Sequence, residues 1–567
     1  MRPTKKRRID QETLEVEVNQ IIRLEDHLKN AIDDGKSLNG LSDLLKIAEK
    51  EMGRPQLLHK CLYAIYRTFS LLISNGWFNS SGPRSQNTIL VRQWLFKRLD
   101  QFFDLLGELF QHAEPLIKEA ATQIPLTLLK QLSSSVSSAT ETPQIHYRTF
   151  RYIIPKYLRA KSSLAILVGL VNQYNDIRWF TLREIPRILH QVSLIERDDI
   201  LIENTLSLLE KVDNMPKAKT EIKSFYIPEL AKPPKDLAMS KPSEEDEELS
   251  DEDDWRKYFD SKESSEPADA NTPDGRTSQF STHRKLFYVQ SHRVQFSGAW
   301  LALLQYIKSS PEHSNRVLSI LHHTIMPNLT QPIQLMDWIG ACIEFDGATA
   351  LLAFNALFVL IQEHNLDYPD FYTRLYALLD KNILHVRYRA RFFRLLELFL
   401  SSTHLPANLL ASFIKRLARL SLSAPPPAII MLIPFTYNIL KRHPSLMAMI
   451  HREVDSLDLD PFLPDEPSPF LTNAILSSLW ELNTHRLHYA APISAMAQIF
   501  SEPFTKPSYV QEDFLDHTYG TLYTAEAKRK IVKEPAINID TQKQLFGQRL
   551  ENDSEWRNVK DPCNIWI

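Results

Sequence analysis

The residue types that usually carry chemistry are sparse in this chain and poorly spaced for it. Cys61, Cys342 and Cys563 are the only cysteines in 567 residues. With no CxxC, a thiolate zinc site and a redox pair are excluded. His322 and His323 are adjacent and cannot share a helix face. His485 and His488 could, at i and i+3, but no third ligand follows in a metal-site pattern. Both pairs therefore read as helix-surface or capping histidines. Glu512, Asp513 and Asp516 could attract a cation, but read better as an acidic helix face. HExxH, GxSxG and the kinase signatures are absent. So are GxxxxGK[ST] and GxGxxG, in keeping with only 13 glycines. The expectation is a protein that is not an enzyme, with no catalytic residue, metal, cofactor or small-molecule ligand.

Cations are more suggestive. The formal net charge of −3 is a cancellation between segments. Residues 381–452 hold 11 basic and 1 acidic residue, net +10, whereas residues 453–520 hold 2 basic and 11 acidic, net −9. On a helix over residues 384–400, Arg387, Arg391 and Arg394 fall within about 60° of one another. Tyr388, Phe392, Phe393, Leu395, Leu396 and Phe399 fill the wider apolar arc. Arg389 points into that arc and needs a carboxylate or carbonyl partner, so it is expected in a structural ion pair. The next helix, 409–422, repeats the design. Phe413, Ile414, Leu417 and Leu420 form one face, and Lys415, Arg416 and Arg419 the other. Lys441 and Arg442 close the helix after it, where cations suit the C-terminus. Stacked, these stripes would align into a basic ridge for a polyanion. RNA phosphates and an acidic protein tail, including the chain's own 241–254 tract, fit the charge equally. No RRM or KH signature is present, so any RNA contact would be led by the backbone.

Residues 241–274 carry 14 acidic and 4 basic residues, net −10. Nine carboxylates crowd into Glu244–Asp254; such a run repels itself and stays disordered. Ser243 and Ser250 each have an acid three residues on and are candidate phosphorylation sites for an acidophilic kinase. Trp255, Tyr258 and Phe259 form an aromatic patch in this acidic setting, suited to docking. At the start, Lys5, Lys6, Arg7 and Arg8 on a disordered tip resemble a nuclear import signal. No apolar h-region follows them, so no signal peptide is expected. The uncharged apolar stretch Gly347–Gln362 is short of the ~20 residues of a membrane span, and no membrane partner is expected. Few cysteines suit the cytosol or nucleus.

The elements that must hold these residues are helices. Leu57, Leu58, Leu62, Ile65, Phe69, Leu72 and Ile73 recur at spacings of mostly three and four, as do Trp94, Leu95, Phe102, Leu106 and Phe110. A serine-rich break is expected at Ser133–Thr142. Pro332, Pro369, Pro406 and Pro444 stand 37, 37 and 38 residues apart, and proline favours a helix's first turn. Apolar helices are expected after the first three, near Ala348–Gln362, Leu384–Leu400 and Ala428–Leu440. Two helices per ~40 residues is the arithmetic of an α-solenoid. After an acidic, proline-rich loop at 453–469, helices are expected at Leu471–Leu482, Ile493–Phe500 and about Val510–Glu526. The fold class is all-α: a HEAT/armadillo-like α-solenoid in two helical halves joined by a disordered acidic linker. The expected divisions are a basic disordered tip (1–10), an N-terminal helical domain (11–230), the linker (231–280), a C-terminal α-solenoid domain (281–530) and an extended tail (531–567).

Four segments also carry a resemblance. They are Val386–Leu396 (VRYRARFFRLL), Ser412–Pro426 (SFIKRLARLSLSAPP), Ser477–Leu482 (SSLWEL) with His488-Tyr489, and Glu512–Tyr519 (EDFLDHTY). Together they resemble the CCAAT-binding-factor/nucleolar-complex family, in its nucleolar complex protein 4 branch, over about residues 285–530. Asp176–Glu184 (DIRWFTLRE) carries a weaker likeness in the first half. The resemblance implies an α-helical solenoid in the nucleolus. It further implies a non-enzymatic assembly factor of the small ribosomal subunit, active where 18S rRNA is processed and paired with a partner like nucleolar protein 14. Against this stands a nuclear transport or cargo-adaptor solenoid that uses the same basic face and has no ribosomal role.

Overall fold

The computed structural model describes residues 5–33, 37–79, 86–140, 142–191, 198–234, 282–345, 347–451 and 460–530. Ser243, Ser250, the Trp255–Phe259 patch, nearly all of the acidic linker, the 531–567 tail and Cys563 lie outside them. Every regular element among the described residues is helical. None of the helices is long and apolar enough to cross a membrane. The chain forms two compact units, residues 1–369 and 370–567.

The first unit starts with α1 (Lys5–Asp33), α2 (Asn39–Lys50), α3 (Pro55–Ser74) and α4 (Gln86–Leu109). It continues with α5 (Pro115–Thr140), α6 (Tyr147–Arg159), α7 (Lys161–Gln173), α8 (Asn175–Gln191) and α9 (Asp199–Glu210). After the linker come α10 (Val289–Ile307), α11 (Pro311–Ile320), α12 (Met336–Ile343) and α13 (Ala348–His364). Helices close in sequence pack on one another, α3 on α1, α2 and α5, and α7 on α6 and α8, the local stacking of a solenoid. The apolar stripe expected on α3 is its buried face; on α4 Leu95, Phe102 and Leu106 are buried, as is Phe110 just beyond its end.

Three expectations change here. Residues 5–10 belong to α1 and are not a disordered tip, because neither proline nor glycine interrupts residues 4–34; the side chains of Lys5, Lys6, Arg7 and Arg8 lie outside what is described. The serine-rich segment does not break the chain, since α5 runs through to Thr140. Ser133 Oγ donates to the Leu129 carbonyl at 2.7 Å and accepts from the His146 N–H at 3.0 Å. Hydroxyls bonded within their own helix let serine persist there. Third, the compact unit does not end at the linker. Helix α10 packs along α8, with Trp179 Nε1 donating to Ser291 Oγ at 2.9 Å and Tyr306 to the Leu189 carbonyl at 2.7 Å. Arg316 on α11 forks onto Glu210 and reaches Glu203 on α9, both at 2.7 Å.

The second unit contains α14 (Phe371–Ala377), α15 (Arg389–Phe399), α16 (Ala407–Ser421), α17 (Pro426–Arg442), α18 (Trp480–Thr484), α19 (Ala491–Ala497), α20 (Glu512–Leu515) and α21 (Tyr519–Lys528). The proline spacing has a structural basis in all four cases. Pro332 opens the 3-10 turn into α12, and Pro444 opens the turn Pro444–Met449. Pro369 and Pro406 stand just before α14 and α16. The helix expected over 471–482 does not form. Asn473 sits at φ 55°, in the left-handed region, and Ser477 is extended. Only a 3-10 turn, Ala474–Leu476, and the start of α18 are helical there.

Half-buried His146 and buried His292, both in the first unit, are neutral. His146, stacked on Phe96, and His292, bonded to the Leu286 carbonyl, are each pushed down to about 4, chiefly by burial, from an ordinary 6.5. An unfolded chain binds those protons first, so the stability they confer is full above pH 6.5 and is lost as pH falls towards 4. Thermal melts from pH 7 to 5 should show a falling melting temperature, with a flatter slope in His146→Gln/His292→Gln.

Candidate functional site

Helix α16 carries the densest part of the expected basic ridge, and the structure closes most of it off. Lys415, expected in the solvent-facing stripe, is 0% exposed. Its Nζ lies 2.7 Å from Glu481 Oε1 and 3.2 Å from Asp460 Oδ2, and donates to the Ser478 carbonyl at 2.7 Å. Arg419, one turn on, approaches the same two carboxylates at 3.4 and 3.6 Å. The rings of Phe462 and Trp480 stand 5.5–5.9 Å from both cations, so the four charges share a wall of aromatic surface. Burial pushes the Glu481 carboxyl up, opposed by Lys415. Asp460 is also pushed up by burial, but the Ser477 hydroxyl, the Phe462 N–H and Lys415 outweigh this and hold it down to about 2.

The remaining cations are mostly engaged as well. Arg416 donates to the Leu379 carbonyl at 2.8 Å and lies over the Tyr376 ring at 4.4 Å. Arg394 forks onto Glu512 with two bonds of 2.7 Å. Lys441 donates to the Lys506 carbonyl. Arg442 is exposed, and its charge reaches Glu397. Arg387 and Arg391 are exposed and have no hydrogen bond or ion pair among the described residues. Arg387 also precedes the helix, because residues 385–388 form a turn. Arg389 is half-buried and donates to the backbone carbonyl of His517 at 2.9 Å. The expected ion pair is thus a hydrogen bond to a carbonyl, which needs no second charge to be desolvated. The continuous basic ridge is not there.

Residues 460–517 take its place along α16 and α17. Ser412 Oγ bonds the Pro469 carbonyl and Thr472 Oγ1, each at 2.5 Å. Ser421 Oγ meets His485 Nε2 at 2.7 Å, so His485 is a buried anchor and not a surface histidine. Asn438 grips Tyr509 with both amide atoms, at 2.8 and 2.9 Å. Tyr437 stacks on Phe504 at 4.8 Å, and Gln511 Nε2 donates to the Met431 carbonyl at 3.0 Å. The acidic segment neutralises the basic one within the same unit. The signal was present in the small residues around Lys415: Ala411, Ser412 and Ala418, at i−4, i−3 and i+3, let another segment approach that face. Among the described residues no group of three or more His, Cys, Asp or Glu could hold a metal ion.

Residues 350–497, which include α15–α17 and the Glu481 anchor, match the CBF/Mak21 family. Residues 11–193 match a second family, described as nucleolar complex protein 4-like, TPR repeats. The nucleolar complex protein 4 homolog of Homo sapiens is 43% identical over 513 residues, covering 87% of this chain and 89% of that protein. The chain belongs to the nucleolar complex protein 4 family. The Mus musculus homolog is 30% identical over 532 residues, 90% of this chain and 92% of the mouse protein. An uncharacterised Schizosaccharomyces pombe protein is 50% identical over 256 residues, a match spanning about half of its own length (52%). Membership places the chain in the nucleolus. TPR repeats are, like HEAT and armadillo repeats, stacked helix pairs, so the family match and the helices agree on an α-solenoid.

Removing one partner of a buried ion pair strands the other charge. Lys415→Met should cost about 3–5 kcal/mol in denaturant unfolding, and Glu481→Leu in the same background should recover much of it. Asp460 behaves differently with pH. Its carboxyl is depressed from 3.8 to about 2, so its contribution is complete above 3.8 and lost as pH falls towards 2. The stability gap between wild type and Asp460→Asn should narrow over that window.

Proposed function

We propose that the chain is a non-enzymatic nucleolar ribosome-assembly factor. It acts in small-subunit (40S) biogenesis and 18S rRNA maturation, as a scaffold that pairs with a protein like nucleolar protein 14 within the small-subunit pre-ribosomal particle. Backbone-led contact with pre-rRNA is a further part of this reading. Family membership supports the nucleolar assembly role, and one observation supports the protein partner. The segment pinned over Lys415 turns Leu463, Phe470, Leu471, Leu476 and Trp480 outward, each 43–63% exposed. The Leu463 N–H bonds the Thr472 carbonyl at 3.0 Å and Trp480 Nε1 bonds Asp460 at 3.3 Å, so the two ends of this segment lie side by side. Apolar side chains held outward on a polar, anchored frame have the character of a protein interface: an apolar centre with a polar rim. The cargo-adaptor reading relied on a free basic face, and most of those cations are spent internally.

Depletion separates the two readings. Loss of 18S rRNA with 25S/28S rRNA spared is expected. A normal rRNA ratio with mislocalised nuclear cargo would overturn the assembly role. Leu471→Asp/Leu476→Asp should leave the melting temperature within about 1–2 °C of wild type, since exposed positions contribute little to stability, yet abolish co-purification of the partner. Retained co-purification would move the interface elsewhere.

A further inference from the structure

The first unit buries an arginine that has no counter-charge among the described residues. Arg178, in the first turn of α8, is 3% exposed. Its amino groups donate to the Asn214 carbonyl and to Asn175 Oδ1, and its Nε has no acceptor. The acid nearest in sequence, Asp176, is already committed: its oxygens accept the backbone N–H groups of Ile177, Tyr226 and Ile227. Burial alone pushes the Arg178 guanidinium down to about 10. By contrast, carboxylate partners raise Arg67, Arg316 and Arg394. A buried cation without an anion is costly, and such groups are ordinarily paired.

An open cavity of about 460 Å³ lies against this arginine. Its lining includes the amides of Asn172, Gln173, Asn175 and Asn214. Lys217 stands at its wall with Asp213 and Glu221. Glu221 is exposed and accepts the Lys217 backbone N–H at 2.8 Å. The loop over residues 211–223 carries four lysines against these two acids. Three of them, Lys211, Lys217 and Lys223, are exposed and enter no ion pair among the described residues.

We infer that this cavity is a phosphate site and that it takes a backbone phosphate of single-stranded RNA. Arginine and amide groups supply directed donors for a phosphate's several acceptor oxygens. Lys217 stands at the cavity wall, and the other lysines of the same loop supply further cations for the neighbouring phosphates of the strand. The volume is that of a small-ligand pocket, with room for a nucleotide. An acidic protein segment is the rival occupant; its flat carboxylates present two acceptor oxygens each, fewer than a phosphate offers to the donors here. The inference gives the RNA-contact part of the proposed function its site, and the two fail separately: depletion reads rRNA levels, whereas the test here is binding by purified protein.

The full chain is melted with inorganic phosphate, with sodium chloride at matched ionic strength, with a short oligouridylate and with polyglutamate. Phosphate and oligouridylate should raise the melting temperature where chloride does not. Lys217→Glu, an exposed change, should leave the phosphate-free melt unchanged and weaken oligouridylate binding about tenfold or more. Arg178→Gln should abolish the phosphate effect; should it fail to fold, Asn172→Leu tests the same cavity. An absent phosphate effect in wild type, an effect reproduced by chloride, or full binding retained in Lys217→Glu would each overturn the site. Stabilisation by polyglutamate in preference to oligouridylate would overturn RNA as its ligand.

Discussion

The second unit depends on one buried ion pair. Lys415 sits at the centre of α16 with no exposed surface, and its ammonium is surrounded by Glu481, Asp460 and the Ser478 carbonyl. Desolvating two charges consumes most of what their attraction returns, so the pair's main consequence is specificity: a single register for a segment with little secondary structure of its own. The anchors on α16 rise in order. Ser412 holds residues 469–472, Lys415 holds 478–481 and Ser421 holds 485. Nine residues of helix span about 13.5 Å, so the thirteen residues from Thr472 to His485 cannot run straight. They fold into the short turns seen there. On α17 the order reverses: Met431 meets Gln511, Asn438 meets Tyr509, and Lys441 meets Lys506. The segment therefore follows α16 in the same direction and returns antiparallel to α17.

That path explains the charge distribution. A +10 segment followed by a −9 segment looks like two surfaces for two partners when read along the chain. Folded, much of one is the lining of the other. Cations locked to carboxylates and carbonyls have no counterions to release, and counterion release is the main source of RNA affinity. What the second unit shows to solvent instead is the apolar edge of the covering segment, together with Arg387 and Arg391. The polyanion expected on α16 is supplied in large part by the chain itself, through residues 460–516; the 241–254 tract lies outside the described residues.

Features set by local periodicity were legible in the sequence. The α3 stripe is the buried face of that helix, and the four spaced prolines each stand at the start of a helical element, because proline's missing N–H costs nothing there. Features set by a distant segment were not. Lys415 looked solvent-facing because one amphipathic helix was read against one core; α16 in fact has two buried faces, with Ala411, Ser412, Ala418 and Ser421 all buried. The 471–482 segment has an apolar content fit for a helix, but its backbone is committed to the helices beneath it. The serine run in α5 misled for the converse reason: Ser133 and Ser137, usually marks of a loop, cap the Gln144 and His146 N–H groups while staying helical. In each miss the deciding bond spans a turn or more that periodicity does not see.

The two units also differ in how they handle a buried cation. In the second unit Lys415 meets two carboxylates, so the site is electrically closed and works as a lock. In the first, Arg178 meets only a carbonyl and an amide oxygen among the described residues, with an open polar cavity beside it. A lock needs no ligand, whereas an unpaired guanidinium at a cavity retains an unmet demand for an anion. Charge that is spent internally favours an apolar protein contact at the surface left over; charge left unspent favours a phosphate. A scaffold that joins a protein partner to RNA needs both, and a fold of stacked helices can hold the two on separate repeats because each repeat is stabilised mainly by its neighbours.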